Sequence, residues 1–224
     1  MQISVRILLI GIFSFAAISQ DSGKTEVDAD IHQMWLDCRL QKVVPFELFN
    51  GAIQGYRQIG SIWKKNIITI IDFSKPSTDK RFFVIDLENR QLLYNCFVAH
   101  GKNSGENFAD SFSNQPQSLK SSLGLFLTAE TYSGIHGYSL RLDGLEEGIN
   151  DNARVRDIVI HGAEYVSREF INKYGRLGRS WGCPALPVEI SKEVIEKISD
   201  GSCLFIYGKD ENYHKNSAFL KREK

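Results

Sequence analysis

The chain has 224 residues, 42% hydrophobic and 24% charged, which suits one domain with a small appendage and argues against intrinsic disorder. Lysine plus arginine number 27, as do aspartate plus glutamate, so the formal net charge is zero. Nothing in that balance points to a nucleic-acid partner.

The N-terminus reads as an export signal. Arg6 precedes an apolar run from Ile7 to Ile18 (ILLIGIFSFAAI) that is short for a bilayer span. Ala17 and Ser19 follow the small-residue cleavage pattern, and a polar stretch starts at Gln20. Residues 1–19 are therefore expected to be removed, leaving the protein secreted, in the periplasm or cell envelope. The alternative is an uncleaved membrane anchor. No later segment is apolar enough to cross a membrane.

Residues 20–64 form a lead-in and a helical hairpin. Residues 20–28 read as flexible. A helical pattern runs from Asp30 to Val44, with Ile31, Met34, Trp35, Cys38 and Leu40 on its apolar side, until Pro45 interrupts it. A second helix is expected through Phe46, Phe49, Ile53, Tyr56 and Ile59.

The pattern turns to strands at Asn66. NIITIIDF, RFFVIDLE and RQLLYNCFVA read as a meander with a tight turn around Glu88 to Arg90. From His100 to Ser122 runs a polar loop of roughly twenty residues, long enough to be either functional or disordered. Strands resume in LGLFLTAE, YSLRL and VRDIVIHG. Helices are expected over AEYVSREFINKYG and over VEISKEVIEKIS, the latter capped by Gly201. CLFIYG closes the domain at residue 208, and 209–224 is a charged, frayed tail. The class is α+β and β-dominated, with helices segregated at the periphery.

The four cysteines are Cys38, Cys96, Cys183 and Cys203. If Cys183 is kept as a reactive thiol, at most one intramolecular bridge can form. Cys96 and Cys203 read as buried thiols, or one of them bridges to Cys38. No CxxC pair or HExxH motif is present, so neither a metal nor another cofactor is expected. His100, His136, His161 and Cys183 have no recognised zinc spacing.

Two segments carry chemistry. VRDIVIHGAEY ends a strand in His161-Gly162, placing an imidazole at a sheet rim. GRLGRSWGCPAL crowds three glycines, Cys183 and Pro184 into one loop. Gly182 permits an unusual backbone before Cys183, so the amides of Trp181, Gly182 and Cys183 are candidates to converge on an oxyanion. Arg179 would favour the thiolate. Together the segments supply a nucleophile and a base. For an arbitrary cysteine, a buried structural role is the commoner alternative. His136, in TYSGIHGYSL, and Ser122 and Tyr132 are candidates to line a substrate cleft, though each is equally a plain turn or strand residue.

The sequence His161-Gly162, a spacer, then Ser180-Trp181-Gly182-Cys183 resembles the signature of the L,D-transpeptidase (YkuD-type) family, HG followed by S/T-H-G-C. VIDLENRQLLYNCFVAHGK resembles its opening hairpin, and SSLGLFLT its T-P-x-G-x-F segment. The resemblance covers roughly residues 65–208. It is closest to the divergent murein L,D-transpeptidase catalytic domain branch.

The resemblance implies a β-sandwich or barrel catalytic domain. It makes Cys183 the nucleophile, His161 the base and the Gly162 carbonyl the group that orients the imidazole. The donor would be a peptidoglycan tetrapeptide stem, with D-alanine leaving and a neighbouring amine or water accepting the acyl group. A carbapenem would acylate the same thiol. No cofactor and no metal enter, and a monomer is assumed. Alternatives are an L,D-carboxypeptidase, with water as acceptor, and a non-catalytic wall-binding protein. Two positions depart from the family. Trp181 replaces its second histidine, and Ala185 stands where an arginine is common, a role Arg179 or Arg176 would have to fill.

Overall fold

In the computed structural model, which describes residues 19–220, the isoleucine-rich run Ile67–Asp72 forms β1 and is buried along its whole length. A strand covered on both faces reads as a continuous apolar run rather than an alternating one. β1 pairs antiparallel with β2 (Phe82–Asp86) and parallel with β8 (Cys203–Tyr207). On these central strands lies α2 (Phe46–Ile59), which buries Leu48, Phe49, Ala52 and Ile53 at helical spacing. Covering Leu48, Phe49 and Ile53 stabilises the packing by about 1.5–3 kcal/mol each.

The remaining strands are β3 (Gln91–Cys96), β4 (Gly124–Gly134), β5 (Gly137–Gly144), β6 (Val159–Gly162) and β7 (Ala185–Leu186). The eight strands form one sheet in the order β3-β2-β1-β8-β4-β5-β6-β7. Its two edges meet. Just past β3, Ala99 donates to the Ala185 carbonyl at 2.9 Å, so the sheet curls into a nearly closed barrel. The architecture is α+β and β-dominated, with helices at the periphery.

Two features aim the sheet at one end. The β4–β5 pairing slips between Thr128 and Thr131, a bulge that bends the hairpin and carries its tip towards β6. α4 (Val188–Ile198) packs on β5 and β6. Gly162 permits that approach, because a Cβ there would stand 2.5 Å from Ser191 Oγ.

Several boundaries differ from the sequence reading. α1 runs Ser19–Asp37, so residues 20–28 continue the helix instead of leading into it. Arg39 takes a φ of 55°, and Cys38, Leu40 and Val44 are buried as parts of a turn, not of a helix face. α3 is only Arg168–Tyr174, started by Ser167, whose hydroxyl accepts the Phe170 N–H. Ser199, not Gly201, caps α4. The loop from His100 to Ser122 is pinned by hydrogen bonds, including Ser121 N–H to Ser104 Oγ and Asn103 N–H to the Leu119 carbonyl.

The apolar run of the expected export signal lies outside the described residues. Among the described residues no helix is long and apolar enough to cross a membrane. All four cysteines are free thiols, so the bridge to Cys38 does not form. Burial pushes Cys38 up to about 11 and Cys96 up to about 12, and raises Cys203 further.

The C-terminal segment expected to fray is instead tied down. It forms α5 (Glu211–Asn216), buries Tyr213 and hands two hydroxyls to the buried Glu146 carboxylate. Tyr213 OH donates at 3.2 Å and Ser217 Oγ at 2.6 Å, and the Leu125 N–H adds a third bond. Ser217→Ala is therefore expected to cost about 1.5–3 kcal/mol, the scale of a buried hydrogen bond to a charged group. Urea unfolding checks this, and a loss below about 0.5 kcal/mol would mean the tail is not anchored there.

Candidate active site

His161 sits on β6, opposite Ser139 of β5 and Ala185 of β7. It is buried, with Nδ1 2.9 Å from the Gly162 carbonyl oxygen. A carbonyl only accepts, so Nδ1 carries the proton and the Nε2 lone pair has no partner among the described residues. Burial holds the imidazole below its ordinary pKa, helped by His136 and opposed by the Gly162 hydrogen bond. The ring is neutral at pH 7. His136 descends from the β4–β5 tip and stacks on it, centroids 4.5 Å apart and planes 22° from parallel.

Cys183 stands two residues before Ala185, the residue opposite His161, so the parallel register carries it back to the level of Val159, two residues before His161 on β6. The preceding turn is built for it. Gly182 takes a φ of 131°, and a Cβ there would meet the Lys120 carbonyl oxygen at 2.9 Å. Ser180 Oγ donates to the Cys183 carbonyl at 2.6 Å and accepts the Gly182 N–H at 3.1 Å. Ser121 Oγ donates to the Gly182 carbonyl at 3.1 Å.

The half-buried thiol makes its hydrogen bond to the Asp157 carbonyl at 3.5 Å, not to His161. Burial raises its pKa, with the Val159 N–H and Arg156 pulling it down and Asp157 pushing it up. At rest the thiol and the imidazole are thus both neutral.

Of the three amides expected to converge, that of Gly182 is taken by Ser180. Those of Trp181 and Cys183 have no protein acceptor among the described residues. Trp181 itself is 76% exposed. Ser122 is buried, its hydroxyl donating to the Ser113 carbonyl and accepting from Arg156, so it is spent inside the fold. Tyr132 lies on β4 beneath the Arg141 guanidinium, 4.4 Å from ring centroid to carbon.

Arg179 and Arg176 both turn to Glu106, at 2.7 and 2.9 Å. The cation that acts on Cys183 is Arg156, which the sequence reading did not single out. An arginine just before a strand looks like any solvated loop residue. Ser121 was also missed; only its place in SSLG marked it.

A further unforeseen pair supports the cysteine loop. Arg81 is fully buried, and its Nη2 donates to His100 Nδ1 at 2.7 Å. Its remaining donors reach the Val98 and Lys75 carbonyls. His100 Nε2–H then donates to the Gly105 carbonyl at 3.3 Å, while the His100 carbonyl receives the Ser180 N–H at 3.0 Å. Burial first, and Arg81 second, push His100 down to about 3.

Two outcomes follow from this geometry. Because His100 stays neutral when folded, the unfolded chain binds the extra proton below pH 6.5, so stability drains as the pH falls from 6.5 towards 3. His100→Asn should flatten that slope in urea titrations; an unchanged slope would exclude His100 as its source. Gly182→Ala should lose about 1–3 kcal/mol through its left-handed backbone and the contact with Lys120. Its unfolding midpoint and Cys183 alkylation rate check this, and native values for both would contradict it.

No curated protein matches the chain. Among solved structures it is similar to an L,D-transpeptidase from Mycobacterium smegmatis, 13% identical, covering 64% of this chain and 59% of that one with a TM-score of 0.39. A second is L,D-transpeptidase 3 from Mycobacterium tuberculosis in complex with a faropenem-derived adduct, at 12% identity, 64% and 61% coverage and a TM-score of 0.40. A third, an L,D-transpeptidase from Xylanimonas cellulosilytica, stands at 12%, 64%, 61% and 0.36. The chain spans about three fifths of the length of these structures. The family model for the L,D-transpeptidase catalytic domain matches residues 40–207, well over half of the sequence, and the chain belongs to that family.

Proposed function

We propose that the protein is an exported cysteine acyltransferase of peptidoglycan stem peptides, an L,D-transpeptidase working through a Cys183 acyl-enzyme. Family membership supports action on peptidoglycan. The observation that carries the mechanism is His161 locked by the Gly162 carbonyl, its Nε2 lone pair free, at the end of the barrel where the strained Gly182 turn presents Cys183. Export rests on the apolar run Ile7 to Ile18 and the small residues after it.

The neutral pair defines the order of steps. Sγ swings from the Asp157 carbonyl and gives its proton to His161 Nε2, and the thiolate so formed attacks the carbonyl carbon of the stem's third residue. The oxyanion that forms is met by the free N–H groups of Cys183 and Trp181, each such donor being worth about 10²–10³ in rate. The imidazolium returns the proton to the departing D-alanine amine, leaving a thioester on Cys183. An amine of a second stem then attacks the thioester, His161 takes the incoming proton, and the thiol is regenerated. Trp181, two residues before Cys183, and the 97% exposed Ile135, next to His136, each present apolar surface to solvent.

Purified protein incubated with disaccharide-tetrapeptide tests the reading. Crosslinked dimers are expected, and tripeptide product alone would reassign the enzyme as an L,D-carboxypeptidase. Cys183→Ala should be inactive, and His161→Asn should lose about 10²–10⁴ in kcat. Equal product from wild type and Cys183→Ala would leave only a wall-binding role.

A further inference from the structure

The segment between β5 and β6 places one guanidinium under the catalytic turn with no carboxylate partner among the described residues. Arg156 is half-buried, and its Nη2 lies 3.5 Å from where a Cβ on Gly182 would stand. Four of its five N–H groups go to neutral oxygens on the folded-back loop: the Ser113 and Lys120 carbonyls and the Ser118 and Ser122 hydroxyls. The fifth, on Nε, has no protein acceptor among the described residues. The neighbouring Asp157 carboxylate turns away to Arg141, at 3.2 Å. Neutral acceptors satisfy the hydrogen bonds of a buried cation but do not neutralise its charge, which leaves a net preference for an anion beside it.

Cys183 is the group beside it that becomes an anion during turnover. We infer that Arg156 is a positioning residue with two linked tasks: it is the countercharge of the Cys183 thiolate, and it straps residues 113–122 against the turn that carries the thiol. The inference rests on Cys183 being the nucleophile. In the balance of the step, the thiol proton goes to His161 Nε2 and the negative charge stays on Sγ, opposite the guanidinium. The Arg156 pKa is lowered by burial and raised by Cys183, consistent with this pairing.

The other charged and titratable groups facing the thiol are few. Asp157 disfavours the thiolate. His161 and the His136 stacked on it approach from β6 and the hairpin tip. Tyr165, from the loop after β6, is pushed up to about 12, chiefly by burial, and stays neutral. Lys120 turns its ammonium to Ser111 Oγ. Among the described residues, only Arg156 supplies a fixed positive charge that lowers the thiol pKa.

The pH dependence of Cys183 alkylation by iodoacetamide reads the thiol directly, because Cys38, Cys96 and Cys203 are buried. Arg156→Gln should raise the alkylation midpoint by about one pH unit, equivalent to about tenfold slower reaction below the midpoint. Arg156→Lys keeps the charge and loses part of the strap, so it should melt earlier yet keep a near-native midpoint. A native midpoint in Arg156→Gln overturns the inference. If Arg156→Gln does not fold, Arg156→Lys decides alone: a retained midpoint with lowered stability supports it, and a midpoint raised by a full unit overturns it. Alkylation needs no peptidoglycan. A shifted midpoint in a protein inert on stem peptides would therefore sink the proposed function and leave the role of Arg156 standing.

Discussion

Ala99 and Ala185 exchange backbone hydrogen bonds, at 2.9 and 3.4 Å, across the seam where the first and last strands of the sheet meet. Both side chains are fully buried, in a small cluster with Phe97, Val166 and Leu177. The seam continues beyond the pair. The Ser180 N–H reaches the His100 carbonyl, and the Lys102 N–H reaches the Ser180 carbonyl. Without it, the turn bearing Cys183 would hang from a two-residue strand at a free edge. With it, Cys183 is fixed from both sides: β6 sets its register to His161, and the strand after β3 holds its backbone. Pro184 has no amide to contribute, so Ala185 is the first residue after Cys183 whose N–H can join the ladder.

In the proposed mechanism, charge at this site is produced on demand. Burial keeps the thiol and the imidazole neutral at rest, which spares the fold a desolvated ion pair. Among the described residues two amides lack protein acceptors and one guanidinium lacks a carboxylate, and in the proposed mechanism these groups meet the anions that turnover would create. In that mechanism the fixed dipoles would need no reorganisation as an oxyanion formed, which is where most of the catalytic advantage of such sites lies. The rigid parts are buried, while His136, Ile135 and Trp181 stand exposed at the rim.

Much of the barrel was legible in the chain. β-Branched and aromatic runs such as NIITIIDF and RFFVIDLE became β1 and β2, and the turn at Glu88 to Arg90 joins β2 to β3. His161-Gly162 and Gly182-Cys183 marked the candidate site because glycine beside a reactive side chain is a local signal. What stayed hidden depends on contacts distant in sequence. Arg156 acquires its role only when residues 113–122 fold back over it, and Ser180 loses its apparent freedom once its hydroxyl spans the turn. Arg179 looked closer to the thiol than Arg156 because sequence distance ignores where a side chain points; Glu106 draws it away. α5 was hidden for another reason. A six-residue helix with Tyr213 as its buried anchor has no periodicity to detect, and Glu146, which holds it, lies far upstream.

The central claim is that Cys183 forms a covalent acyl-enzyme with His161 as its base. The most direct measurement is peptide-mapping mass spectrometry of the folded, reduced protein after exposure to a carbapenem. The account predicts one stoichiometric adduct, on the peptide containing Cys183, absent from Cys183→Ala and slowed in His161→Asn. An unmodified Cys183, or an adduct on another cysteine, would contradict it.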